Sequence, residues 1–257
     1  MATKKTSAKK APAPTSGSTD LATIEQEMAA ESRAIAGRIQ QPTGARIKVA
    51  KNKFTIPGHG ETDVMDCVIV DFASRNDFFP GKFDPKNIVP PVCAAAGFAK
   101  HDELVPFDES PKKEADACGD CPNNVFGSDG DGKACKNSIM FALFPAEGYD
   151  EETPILTLSV APASLKACNA YLSMLAGKEI NPIRVITQVT FDQAPDYAKL
   201  EFRLRHPDEG GFENPFAAEM WKRKAEARKL LVAAPDFTRE ARKAPQAARA
   251  KGRGGRK

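Results

Sequence analysis

The chain has 257 residues, of which 41% are hydrophobic and 28% charged, enough for one domain of about 180–200 residues with tails or for two small domains. No apolar run approaches the roughly 18–20 residues of a membrane span, and no charged n-region leads into an apolar h-region at the N-terminus, so a membrane or exported protein is not expected. Net charge is +3 overall, but residues 1–19 carry +4 and residues 222–257 carry +10, leaving −11 between them; such basic arms either attract a polyanion, often nucleic acid, or merely solubilise.

Residues 1–19 are Lys, Ala, Pro, Ser and Thr after Met1, with nothing to bury, and read as a disordered basic arm. Leu21, Ile24, Met28, Ile35 and Ile39 recur at helical spacing behind Asp20, and Pro42 and Gly44 end the run, predicting a helix over 20–41. The period then changes to two. Arg46 to Ile56 and Met65 to Phe72 read as strands around the turn Pro57-Gly58-His59-Gly60, and a hairpin is expected. Residues 74–138 have little periodicity but hold four of the six cysteines. A structureless loop of that length is improbable in a compact domain, so it needs an organiser.

Regular patterns return at Ile139–Phe144 and Ile155–Val160, both strand-like. Pro162 opens a helix striped by Leu165, Cys168, Leu172 and Leu175 and closed by Gly177. Ile183–Phe191 and Lys199–Arg205 read as strands, and a last helix falls over 213–232 before a basic tail, 233–257. Six strands and a late helix suggest an α+β chain, mainly β, with a five-stranded OB-like barrel over 44–212 that carries 74–138 as an insert after the first hairpin. A generic α+β sheet would show similar periods.

The strongest local signal is Ala117-Cys118-Gly119-Asp120-Cys121-Pro122. Cys135 follows, and Cys93 precedes in a Pro-Pro-Val-Cys segment. A CxxC turn brings two sulfurs to one point, and two further thiolates complete the tetrahedron that structural Zn²⁺ takes. Clustered cysteines in a reducing compartment favour metal over disulfides. An iron–sulfur cluster uses the same ligands, a metal-free site stays open, and His101 is a candidate for the fourth place in lieu of Cys93. Four thiolates leave no open position, so the expected Zn²⁺, one per chain, is structural. Cys67 and Cys168 sit on apolar faces and read as core.

The segments NKFTIPGHG, CVIVDFASRNDFFPGKFDPKNIVPPVCA and CGDCPNNVFGSDGDGKACKN together resemble a family of bacteriophage single-stranded DNA-binding proteins in which a zinc site is grafted onto an OB-fold. The resemblance spans about residues 44–206 and implies Cys93, Cys118, Cys121 and Cys135 as metal ligands. It implies a chain that coats single strands in phage replication, recombination or repair, in the host cytoplasm, beside phage proteins of those processes. The basic end departs from the acidic tails by which many single-strand binders recruit partners.

A sequence-independent single-strand binder needs cations for phosphates and flat rings for bases. Arg46, Lys48, Lys51, Lys53 and Phe54 offer these on the first hairpin, and Arg75, Phe78, Phe79, Lys82, Phe83 and Lys86 on the next loop. Arg203 and Arg205, with Arg184, stand on polar faces of late strands and could line the same groove, or serve solubility. The three histidines form no pairing with a nucleophile, and GxSxG, P-loop, HExxH and strand-borne GxGxxG patterns are absent, so no catalysis is expected. The rival is a protein-interaction or regulatory module whose zinc holds a docking surface and whose arms bind nucleic acid nonspecifically.

Overall fold

A computed structural model describes residues 45–81, 87–238 and 242–243. The expected arm 1–19, the helix 20–41, and the side chains of Lys82, Phe83 and Lys86 lie outside the described residues. The chain divides into two compact units, Met1–Pro42 and Thr43–Lys257, and all described residues belong to the second.

That unit is mixed α+β and mostly sheet. Strand β1 is Ala45–Arg46, β2 Lys48–Ala50, β3 Lys53–Ile56, β4 Gly60–Thr62 and β5 the long Met65–Phe78. Then follow β6 Asn87–Ile88, β7 Cys93–Gly97, β8 Lys136–Pro145 and β9 Leu156–Val160. Helix α1 is Leu165–Gly177, and β10 Thr187–Phe191 and β11 Leu200–Leu204 come next. Helices α2 Ala217–Lys222 and α3 Lys224–Leu231 and strand β12 Arg242–Lys243 complete the order. The main sheet runs β1-β9-β8-β5-β10-β11, with β7 also on β5. Its path does not close into a barrel.

The expected hairpin between 46–56 and 65–72 does not form. Lys51 and Asn52 both take positive φ, 51° and 53°, the backbone of a tight two-residue hairpin turn. The first run therefore folds on itself, Lys48 opposite Thr55, and β3 continues into β4 as a separate small sheet. β5 instead pairs with β8 over most of its length, with a bulge between Ile69 and Asp71. The cysteine-bearing insert thus joins β5 to β8, starting where β5 ends. The last helix is split at Arg223.

Alternation divides the sheet into two faces. Ile139, Phe141 and Leu143 of β8 and Leu156, Leu158 and Val160 of β9 pack with Cys168, Tyr171 and Leu175 of α1 in the inner core. Val68, Val70, Ala142 and Phe144 point the other way and meet Met220, Ala227 and Leu231 of α2 and α3. Each fully buried large side chain contributes about 1.5–3 kcal/mol of transfer free energy, which fixes β5 and β8 between two layers. Cys67 and Cys168 are core residues. No helix among the described residues is long and apolar enough to cross a membrane.

Candidate metal centre and nucleic-acid groove

Strand β5 ends by serving two sites at once. Asn76 and Phe78 point to one side, where they line a cavity of about 10 Å³ together with Cys93, Cys118, Cys121 and Cys135, a space the size of one water. Cys93 opens β7 opposite Phe78. Cys118 is held by its amide donating to the Leu104 carbonyl at 2.9 Å, and Cys135 by its amide donating to Asn123 at 2.8 Å. Between them Cys121 caps the short 3-10 turn Pro122–Asn124. Gly119 has no room for a Cβ, which would stand 2.9 Å from the Asp102 carbonyl oxygen.

The four thiols sense one another. Burial raises the Cys135 thiol to about 12, with Cys118, Cys121 and Cys93 adding to the rise. Burial also raises Cys118, against a hydrogen bond from Asn76 and with Cys93 and Cys121 nearby. Cys93 is raised by burial as well, opposed by the Glu114 backbone amide. Among the described residues no three His, Cys, Asp or Glu side chains converge tightly enough to chelate an ion in this conformation. The donor set nonetheless suits a thiophilic ion: four sulfurs on one small cavity, with Cys93, Cys118 and Cys135 disfavoured as thiolates by burial.

Beneath the sulfurs lies an amide network that composition and spacing did not single out. Asn76 is 1% exposed and uses its whole hydrogen-bonding capacity. Its Nδ2 donates to the His101 carbonyl at 2.7 Å, and its amide also meets the Cys118 sulfur. Its Oδ1 accepts from Asn137 at 2.5 Å and from His101 Nδ1 at 2.8 Å. The Asn137 amide also donates to Asn124 Oδ1, and Asn124 Nδ2 donates to the Cys118 carbonyl, both at 2.9 Å. His101 is thereby tied to Asn76 through Nδ1 and does not line the cysteine cavity.

The opposite side of β5 carries Arg75 and Asp77. They line an open groove of about 580 Å³ with Arg46, Phe79, Met140, Thr157 and Ser159. The groove lies over the outward faces of β8 and β9. Phe79 is 37% exposed at its rim. Arg75 Nε makes a forked contact with Asp77, 2.9 and 3.1 Å, and its Nη1 donates to the Ala233 carbonyl at 3.4 Å. The guanidinium of Arg46 is held below the ordinary arginine range by partial enclosure and by Arg75, with Asp77 pulling the other way. Residues Ala233 to Asp236 form one wall.

Several expected nucleic-acid contacts lie elsewhere. Phe54 is fully buried and packs on Phe191 with ring centroids 4.4 Å apart; alternation in β3 turns it inward, so it has no face for a base. Phe78 lines the cysteine cavity. Arg205 is 8% exposed and is spent on structure: it donates to the Gly211 carbonyl at 2.6 Å and to Gly210 at 3.2 Å, with Asp66 and Glu147 within 3.8 Å. Arg203 is exposed but paired with Glu209 at 2.7 Å. Neither arginine lines the groove. Lys51 sits on the β2–β3 turn and Lys53 faces Glu61 at 4.0 Å, also away from it.

Comparison of the chain with protein-family models, with curated proteins and with solved structures gave no match.

Proposed function

We propose that this chain binds single-stranded DNA without catalysis, in phage replication, recombination or repair, and that Cys93, Cys118, Cys121 and Cys135 hold one structural Zn²⁺. One observation carries the reading. In chain order β5, β8, β9, α1, β10 and β11 make five strands with a helix between the third and fourth, paired β9-β8-β5-β10-β11. This is an OB-like order, and in OB-folds the face of strands two and three receives oligonucleotides. Here that face, on β8 and β9, bears the groove with Arg46, Arg75 and Phe79. The Arg46 guanidinium meets phosphate, with Arg75 beside it held in its fork to Asp77, while the exposed ring offers a stacking surface. Bound zinc would cross-link the insert. Asn76 and Phe78 then hold the end of β5 from behind, and Arg75 and Phe79 project in front.

The test is fluorescence anisotropy of the full chain with labelled oligo-dT and with a duplex of equal length. Tighter binding of the single strand, lost on combining Arg46→Ala with Phe79→Ala, is the expected result. Equal affinity for both, untouched by the double variant, overturns the reading.

Protein docking is the second reading, favoured by Val125 and Phe126, 57% and 74% exposed beside the Cys121 turn. An apolar loop tip held by a metal suits a docking knob, and a chain that binds neither single strand nor duplex would point to it.

A further inference from the structure

Helix α3 stands between two grooves. Leu230 and Leu231 border the first, over β8 and β9. On its other flank Lys224 and Arg228 line a second groove of about 630 Å³. That groove opens where the β5 edge changes partner: β10 pairs with β5 only as far as Cys67, and β7 begins at Ser74. Asp71, Phe72 and Ser74 form its floor at that gap.

We infer that this second groove is a further single-stranded nucleic-acid contact, built on Phe98, Trp221, Lys224 and Arg228. The inference rests on the single-strand reading and extends the strand's path past α3. Two large rings stay in solvent, Phe98 in the groove's lining at 44% and Trp221 outside the lining, under Lys224, at 51%. Each carries a cation over its face: the Arg228 guanidinium carbon lies 4.0 Å from the Phe98 centroid and Lys224 Nζ 4.6 Å from that of Trp221. A guanidinium lying on a ring offers its outer plane to a base, as single-strand readers do.

Charge balance favours an anion. Lys224 Nζ and Arg228 Nε share the one Asp71 carboxylate at 3.6 and 3.8 Å, too far for strong hydrogen bonds. Lys100, at the rim, meets Glu103 only at 4.0 Å with both side chains mostly in water, a pair of little strength. The cations are therefore available to phosphates. An acidic peptide would use them equally but would leave both rings bare, so nucleic acid accounts for more of the surface.

Trp221 is the chain's only tryptophan, so tryptophan fluorescence reports on the Lys224 side of this groove. The full chain is titrated with oligo-dT of about 8 and about 30 nucleotides, within and beyond the reach of one OB-like site, with anisotropy recorded in parallel. The long strand is expected to quench Trp221. Phe98→Ala and Arg228→Gln should each weaken its binding by about 5- to 150-fold while leaving the short strand's affinity unchanged. Long-strand binding by anisotropy with no change at Trp221, and with both variants unaffected, overturns this inference and leaves the single-strand function standing. No binding of either strand by anisotropy removes that function and this inference together. Quenching by poly-glutamate as strong as by oligo-dT at equal charge overturns the inference in favour of an acidic-peptide dock.

Discussion

Phe79 keeps 37% of its surface in solvent at the rim of a groove that also holds two arginines. On the proposed function, removing its ring would take away a stacking face worth about 1–3 kcal/mol per base. Phe79→Ala should therefore weaken single-strand binding by about 5- to 150-fold with little change in Tm. Phe54→Ala should do the reverse. It empties a fully buried site against Phe191, costing about 3–5 kcal/mol of stability while affinity per folded molecule holds. Thermal melts beside anisotropy separate the two, and a stable, weak-binding Phe54→Ala would refute the assignment. Asn76 is a third case. Asn76→Leu would orphan one of the two Asn137 amide N–H groups, the other staying on Asn124, and both the ring N–H and carbonyl of His101. Each orphan costs about 1–3 kcal/mol, so calorimetry should show a Tm lower by at least about 6 °C; a melt within about 2 °C of the parent would show the network to be slack. The cysteines were legible in the sequence because a CxxC turn is local. The amides were not, because Asn76 and Asn137 meet across 61 positions and an asparagine carries no periodic signal.

At the scale of elements, β5 is the piece on which both sites depend. Successive residues of a strand face opposite ways, so Asn76 and Phe78 back onto the cysteines while Arg75 and Asp77 face the groove. Anything that loosens the cysteine side should loosen the groove side. If zinc ties the insert, metal analysis finds one ion per chain. Chelation should then raise amide hydrogen exchange in Cys93–Gly97 and at the end of β5, with α1, β10 and β11 still protected, because metal binding energy is folding energy in such a segment. Substoichiometric zinc, with Cys121→Ser as heat-stable as the parent, would refute this. Helix α1 could be read from local signals alone: Pro162 before it, an apolar stripe through Cys168 and Leu175, and Gly177 at its end. The partner of β5 could not. Pairing with β8 spans the whole insert, and the turn at Lys51 and Asn52 has positive φ without a glycine to announce it.

Over the whole molecule, the proposed function requires an acidic body at −11 to approach a polyanion, and the sequence beyond residue 221 supplies +10. On the single-strand reading, long-range attraction would come from the C-terminal part and discrimination from the grooves. The described part of that segment does something more specific than charge. Residues Ala233 to Asp236 wall the first groove, Ala233 accepts a hydrogen bond from Arg75, and β12 pairs with β6. Two truncations separate these roles. Deleting 239–257 removes eight basic residues and one acid but keeps the wall. It should weaken single and double strands alike and flatten the dependence of log K on log salt, by nearly one unit of slope for each duplex phosphate that is no longer neutralised. Deleting 233–257 also removes the wall, exposing Arg75 and Phe79 on one side. It should lower single-strand affinity further than the shorter deletion while duplex binding falls no more. Anisotropy at several salt concentrations reads both effects. If the shorter deletion alone abolished single-strand binding and spared duplex binding, the strand-reading site would lie in the tail rather than on β8 and β9, and the groove would have to be given up as the DNA-binding surface.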